Sequence, residues 1–127
     1  MARYRIARPT SNLEKTIDFY TKALNLTIIH QFQDHDGYDG VMLGLPDESY
    51  HLEFIFHPKF TQEETQAPST ENLLVFYFDS LLAFKKAISR IEKYGAKEVS
   101  PSNPYWKDKS KTYEDPEGWR IVFFEPK

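Results

Sequence analysis

The chain is 127 residues long and has no cysteine, which excludes disulfides, thiolate metal sites and a cysteine nucleophile. Its formal net charge of -3 provides no overall positive field, so we expect neither nucleic acid nor an anionic lipid surface as a partner. No apolar signal segment and no membrane-spanning stretch is found in the sequence, so we predict a cytoplasmic, single-domain protein without a membrane partner.

The first part of the chain predicts a strand followed by a helix. The strand covers about residues 4–8 and ends at Pro9, and Ser11 with Glu14 fits a capping box that begins the helix. Asn25 can adopt the left-handed conformation that ends it. One buried face of the helix is predicted from apolar residues spaced four, three and four positions apart: Leu13, Ile17, Tyr20 and Leu24.

Three further strands are predicted before the middle of the chain. Residues 26–32 are rich in β-branched side chains, and residues 34–37 carry the Asp and Gly typical of a hairpin turn. A strand over 38–44 and another over 50–57 follow, separated by a second turn. The first half therefore predicts the order β-α-β-β-β.

The second half repeats this order after a polar connection. Residues 58–71 contain two prolines and no periodicity, and they form either a linker or a lid. A strand over 73–78 precedes a helix that Asp79 or Ser80 caps and Gly95 ends. The helix is predicted from an apolar face of Leu81, Phe84, Ala87, Ile88 and Ile91, and the strands after it from residues 97–99, 109–114 and 119–125.

These elements predict an α+β fold of two βαβββ modules within a single domain, 1–127. We place the first module at 1–57, the linker at 58–72 and the second module at 73–127. A period near 68 residues is too long for a solenoid repeat and favours a duplicated module.

Two segments carry a family resemblance. "SNLEKTIDFYTKALNL" resembles the first helix of the vicinal oxygen chelate superfamily, the glyoxalase, bleomycin-resistance and extradiol dioxygenase group, and "EDPEGWRI" resembles its closing turn. The resemblance implies paired βαβββ modules whose curved mixed sheets form a cup-shaped cavity. In the metal enzymes of that superfamily, His or Glu side chains on the first, fourth, fifth and eighth strands hold a divalent ion.

In the first half, the resemblance assigns two of these four positions to Arg5 and to Glu53 of "HLEF". A guanidinium cannot ligate a metal, so we predict a partly buried ion pair between Arg5 and Glu53 instead. His51 and His57 share the strand face of Glu53, and a His51–Glu53 pair could meet an ion; partly solvated strand ends are the simpler interpretation.

In the second half, the resemblance assigns the other two positions to Leu73 and Val122, with Leu74 or Asn72 replacing Leu73 if the register slips by one. Neither Leu nor Val can bind an ion, so we predict an apolar pair. We therefore expect a metal-free member without a cofactor.

The aromatic residues are predicted to divide between core and cavity. Trp106 and its neighbour Tyr105 lie in a segment that family members place near the cavity mouth, where flat rings could stack on a ligand or plug the end of the sheet. Phe124 is predicted to face the cavity beside Val122. The rings predicted to pack beneath helices are Phe54, Phe56, Trp119 and Phe123.

The leading interpretation is a binding protein, resembling the bleomycin-resistance type, that sequesters a small, partly hydrophobic molecule without transforming it. The resemblance also implies a homodimer. Two alternatives stay open: a lyase or isomerase of the glyoxalase type that uses Glu53, with or without metal, and a partner-interaction protein with a filled cavity. The predicted ligand-binding residues are Arg5, Glu53, Leu73, Trp106, Val122 and Phe124.

Overall fold

The computed structural model describes residues 2–126 and divides into two compact units, Met1–Gln66 and Ala67–Lys127. Each unit holds one four-stranded mixed sheet with helical segments, which confirms the predicted α+β fold of two βαβββ modules. The boundary between the units lies inside the predicted 58–72 linker. The predicted module bounds stay a prediction, and their outer ends, Met1 and Lys127, lie outside the described residues. Over residues 2–126, no helix is both long and apolar enough to cross a membrane.

The sheet of the first unit has the strand order β1-β4-β3-β2. Strand β1 runs parallel to β4, and the other neighbours are antiparallel. Strand β2 extends to the hairpin turn, beyond the predicted end at residue 32, because its pairing with β3 continues through two irregularities. The four strands are β1 Tyr4–Pro9, β2 Thr27–His35, β3 Tyr38–Gly44 and β4 Tyr50–Phe56.

The helical segment of the first unit begins one residue later than predicted. Asn12 is the N-cap, and its side chain accepts a 3.0 Å hydrogen bond from the backbone N–H of Lys15. The predicted capping box of Ser11 and Glu14 is therefore wrong, because the neighbouring amide side chain takes the capping position. The segment consists of an α-helix, α1 Leu13–Asp18, and a π-helix, Phe19–Ala23.

The connection between the units contains a short helix that the sequence pattern does not reveal. Helix α2, Gln62–Thr65, has a capping box in which Thr61 and Glu64 satisfy each other's backbone N–H groups. The prediction of an irregular connection is wrong here, because a helix of four residues is too short to show a periodicity.

The sheet of the second unit has the order β5-β8-β7-β6, with β5 parallel to β8. Helix α3, Leu81–Tyr94, begins at Ser80, whose side chain caps the N–H of Ala83, and ends at Gly95 with a φ of +94°, as predicted. A short 3-10 helix covers Pro104–Trp106. The strands are β5 Leu73–Tyr77, β6 Lys97–Val99, β7 Ser110–Glu114 and β8 Arg120–Phe124.

Aromatic rings form the core between α3 and its sheet. Phe123 is 2% exposed, and its ring lies 5.6 Å from Phe76 and 5.4 Å from Phe78 in edge-on contacts. Phe78 in turn contacts Phe84 of α3 at 5.8 Å. The prediction that Phe123 packs beneath a helix is confirmed.

Tyr113 joins β7 to helix α3 by a hydrogen bond from its buried hydroxyl to Glu92, at 2.9 Å. Burial raises the pKa of Tyr113 above its ordinary value of 10.0, and the bond to Glu92 raises it further. The same bond lowers the pKa of Glu92 below 4.5, with a smaller effect from Lys111. Both shifts make stability depend on pH, in opposite ranges.

We expect Tyr113→Phe to lower the free energy of unfolding by about 1 kcal/mol near pH 7, because the buried hydrogen bond is lost. The folded-state pKa of Tyr113 is raised, so its contribution is complete below about pH 10 and is lost as the pH rises through that pKa. The folded-state pKa of Glu92 is lowered, so its contribution is lost as the pH falls below about 4.5. Thermal melting across pH 3–11 should therefore give a flatter profile for the variant; an unchanged profile would contradict this assignment.

Candidate functional site

The predicted ion pair between Arg5 and Glu53 is confirmed. Nη1 of Arg5 lies 3.4 Å from Oε2 of Glu53 and donates a second, longer hydrogen bond of 3.7 Å to Sδ of Met42. The Arg5 side chain is 48% exposed and the Glu53 side chain 14% exposed. Arg5 pairs in register with His51 of β4. Glu53 lies two residues further along that strand, so its side chain is on the same sheet face as those of Arg5 and His51.

A pocket of about 560 Å³ opens beside this ion pair in the first unit. Arg5 and His51 form part of its wall, and Nε2 of His51 is buried without a hydrogen-bond partner over residues 2–126. Its wall is partly apolar, and it carries both positive and negative side chains. The other lining residues are Arg3, Tyr4, Ile29, Met42, Leu45, Pro46, Asp47 and Glu48.

The second unit repeats the strand geometry with different chemistry. Leu73 pairs in register with Arg120, and Val122 lies two residues further along β8, as Glu53 does on β4. The equivalence of Arg5 with Leu73, and of Glu53 with Val122, therefore holds in the strand register. The Val122 side chain has no exposed surface, so ligand contact at Val122 stays a prediction.

This sheet face carries a second charge pair, which the sequence pattern does not reveal. Nε of Arg120 lies 3.4 Å from Oε2 of Glu114, and the two side chains are 10% and 22% exposed. Nη1 of Arg120 also donates to the carbonyl of Ser100 at 3.2 Å. The available signal was a charged residue at an inward position of the apolar strand β8.

Four aromatic rings, two exposed and two half-buried, form a cluster in the second unit, which we call the ring cluster: Tyr77, Tyr105, Trp106 and Phe124. Phe124 is central, with ring centroids 5.6 Å from Tyr77, 6.4 Å from Tyr105 and 5.8 Å from Trp106. Tyr77 and Tyr105 are 69% and 70% exposed. The sequence predicts Trp106 and Phe124 as ligand-binding residues, and the two rings lie together here. It predicts Tyr77 only as part of an apolar strand.

The residues at the superfamily's metal positions do not fit a divalent ion. Three of them, Arg5, Leu73 and Val122, offer no metal-ligating atom. Within residues 2–126 there is no group of three or more His, Asp or Glu side chains that could hold a metal. His51 and Glu53 share a face of β4, but Oε2 of Glu53 already contacts a guanidinium. The expected absence of a metal stays a prediction.

Comparison with known proteins assigns the family. The YycE-like N-terminal domain matches residues 4–55, and the YycE-like C-terminal domain matches residues 71–125. The uncharacterized protein YycE of Bacillus subtilis strain 168 is 45% identical over 130 residues, covering 99% of this chain and 89% of its own. The chain belongs to the YycE-like family.

Solved structures place the YycE-like fold among the glyoxalase and bleomycin-resistance proteins. A crystal structure of B. subtilis YycE, of unknown function and proposed to be a glyoxalase or fosfomycin resistance protein, has a TM-score of 0.87 at 44% identity, covering 99% of this chain and 90% of that one. The Leishmania major glyoxalase I gives 0.69 at 16% identity, with coverage of 95% and 84%. The antibiotic binding protein TnmS3 of Streptomyces sp. CB03234 gives 0.68 at 19%, with coverage of 100% and 97%.

These similarities confirm the resemblance to the vicinal oxygen chelate superfamily and the predicted glyoxalase/bleomycin-resistance fold. The likenesses below 25% identity concern the fold of the YycE-like chain only. Its ligand and its chemistry have to be argued from its own residues.

Proposed function

We propose that this YycE-like chain binds and sequesters a small, partly hydrophobic molecule without transforming it and without a metal. The observation that carries the proposal is the ring cluster. Both of its tyrosines expose more than two thirds of their surface, at 69% and 70%, although their rings contact Phe124.

Exposed rings gathered in one place favour a ligand-binding interpretation. Scattered surface apolar side chains are ordinary, but contiguous apolar patches mark interaction sites because covering them releases water. Flat ring faces also give a stacking ligand a defined orientation. A planar or aliphatic molecule would therefore gain both burial and orientation at the ring cluster.

One protein of the same fold supports a binding role. TnmS3 is an antibiotic binding protein, and B. subtilis YycE is proposed to be a glyoxalase or a fosfomycin resistance protein. Among the alternatives, binding agrees best with a chain in which only Glu53 keeps a metal-ligand identity and an arginine contacts that side chain.

A neutral fluorescent probe tests this proposal. N-phenyl-1-naphthylamine should bind saturably with increased emission, and Tyr105→Ala should weaken its binding at least about fivefold, because the loss of a stacking ring removes about 1 kcal/mol or more. Tyr38→Ala is the matched control, since Tyr38 is a partly exposed tyrosine of the first unit with its own ring contacts. No saturable binding, or equal loss in both variants, would remove the ring cluster as a site.

The enzymatic alternative gives a different result. If the chain is a lyase or isomerase that uses Glu53, Glu53→Gln should abolish turnover of a candidate substrate while circular dichroism shows an intact fold. Sequestration instead predicts that a bound molecule is recovered unchanged, which mass spectrometry of the extracted ligand can check.

The proposal also includes a homodimer and a cytoplasmic location. Light scattering during size-exclusion chromatography should then give twice the 15.0 kDa mass of one chain. A single-chain mass at micromolar concentration would remove the dimer from the proposal.

A further inference from the structure

We propose that the first unit's pocket binds the oxyanion of a ligand, a carboxylate or phosphonate on a short apolar body, through Nε and Nη2 of Arg5. Glu53 is then a positioning residue that fixes the guanidinium. This inference goes beyond the proposed function, which is argued from the ring cluster, and names the chemical group that a second site, the pocket of the first unit, would recognise.

The first observation behind this proposal is the edge of the Arg5 guanidinium that makes no hydrogen bond among the described residues. Both hydrogen bonds of the guanidinium use Nη1, one to Glu53 and one to Met42. Over residues 2–126, Nε and Nη2 have no hydrogen-bond partner, and these two N–H groups point in the same direction. Such an edge matches the two oxygens of a carboxylate or phosphonate in a bidentate arrangement.

The second observation is that Glu53 is more deeply buried than Arg5. Its side chain is 14% exposed and that of Arg5 is 48% exposed, so the ion pair has a buried acidic end and an accessible basic end. A ligand entering from solvent therefore meets the guanidinium before the carboxylate. A fixed guanidinium also loses less rotamer freedom when the ligand binds, which favours affinity.

The remaining pocket wall indicates the size and polarity of the ligand. Ile29, Met42, Leu45 and Pro46 give it an apolar part, and Arg3 adds a second cation. Asp47 and Glu48 supply opposing charge, but they lie in an exposed turn where water and salt screen them. The volume of about 560 Å³ accommodates a short aliphatic chain behind the oxyanion.

Four probes with one shared apolar body test the inference: hexanoate, pentylphosphonate, hexan-1-ol and hexylamine. In NMR titrations of the whole chain, we expect hexanoate and pentylphosphonate to bind at least about tenfold more tightly than hexan-1-ol and hexylamine. Arg5→Gln should remove this preference, and Glu53→Gln should weaken both oxyanions several-fold. Arg90→Gln is the matched control, because it removes the same charge from an exposed position of α3.

Three results would overturn the inference. The first is a preference for hexylamine, which would make Glu53 the receptor group. The second is an oxyanion preference that survives Arg5→Gln, and the third is an equal loss in Arg90→Gln. N-phenyl-1-naphthylamine has no oxyanion, so its retained binding at the ring cluster would leave the proposed function standing when the oxyanion inference fails.

Discussion

Asp115→Ala should lower the free energy of unfolding by about 2–4 kcal/mol, because one buried and one partly buried backbone donor lose their acceptor. Oδ1 of Asp115 accepts hydrogen bonds from the backbone N–H groups of Glu117 at 2.8 Å and Trp119 at 2.9 Å. The residue is 8% exposed, so water cannot readily replace the carboxylate. Both tryptophans belong to the second unit, and urea denaturation followed by their fluorescence measures the loss.

Asp115→Asn is the matched control for this prediction. The amide keeps a carbonyl oxygen at the same position and should retain more than half of the stability that the alanine variant loses. Equal losses in the two variants would show that the charge of Asp115, and not the two backbone bonds, stabilises the turn.

Arg120→Met should lower the free energy of unfolding by about 2–3 kcal/mol. The substitution removes the contact of Arg120 with Glu114 and the hydrogen bond to the Ser100 carbonyl, and it leaves a mostly buried carboxylate. Glu114 keeps a weaker contact with Lys97 at 3.8 Å and is 22% exposed, so the expected cost is below that of a fully buried pair. Urea denaturation at low and high salt measures this effect.

The double variant Arg120→Met with Glu114→Leu separates the isolated charge from the loss of packing. Replacing both partners removes the unpaired carboxylate, so the double variant should recover at least half of the stability lost in Arg120→Met. No recovery would mean that the aliphatic part of Arg120, and not its charge, supports β8.

The succession of strands and helices along the chain could be predicted because it follows from apolar spacing. The residue that caps each helix was harder to predict than the helix itself. Ser80 was predicted among two neighbouring candidates, but in the first unit Asn12 replaced Ser11, because adjacent polar side chains compete for one cap and backbone geometry decides. The π-helix was not predicted, since its wider turn buries Phe19 beside Tyr20 and breaks the 3.6-residue period.

Only part of the candidate site could be predicted from the sequence. The Arg5–Glu53 pair could be predicted because the family resemblance assigns both residues to positions whose side chains hold one metal ion in the metal enzymes. The Arg120–Glu114 pair could not, because neither residue occupies one of the four metal positions that the resemblance assigns. The contact of Tyr77 with Phe124 also depends on the parallel register of β5 with β8, which apolar spacing alone does not give.

The matching strand register of the two units gives this chain an internal reference. Arg5 and Glu53 occupy, in the first unit, the positions that Leu73 and Val122 occupy in the second. A chain with Arg5→Leu and Glu53→Val would therefore carry the same apolar pair in both halves. The double substitution removes both charges, so neither charged side chain remains without its partner. The second unit thus provides the design of a charge-free comparison protein, against which ligand binding to the first unit can be measured.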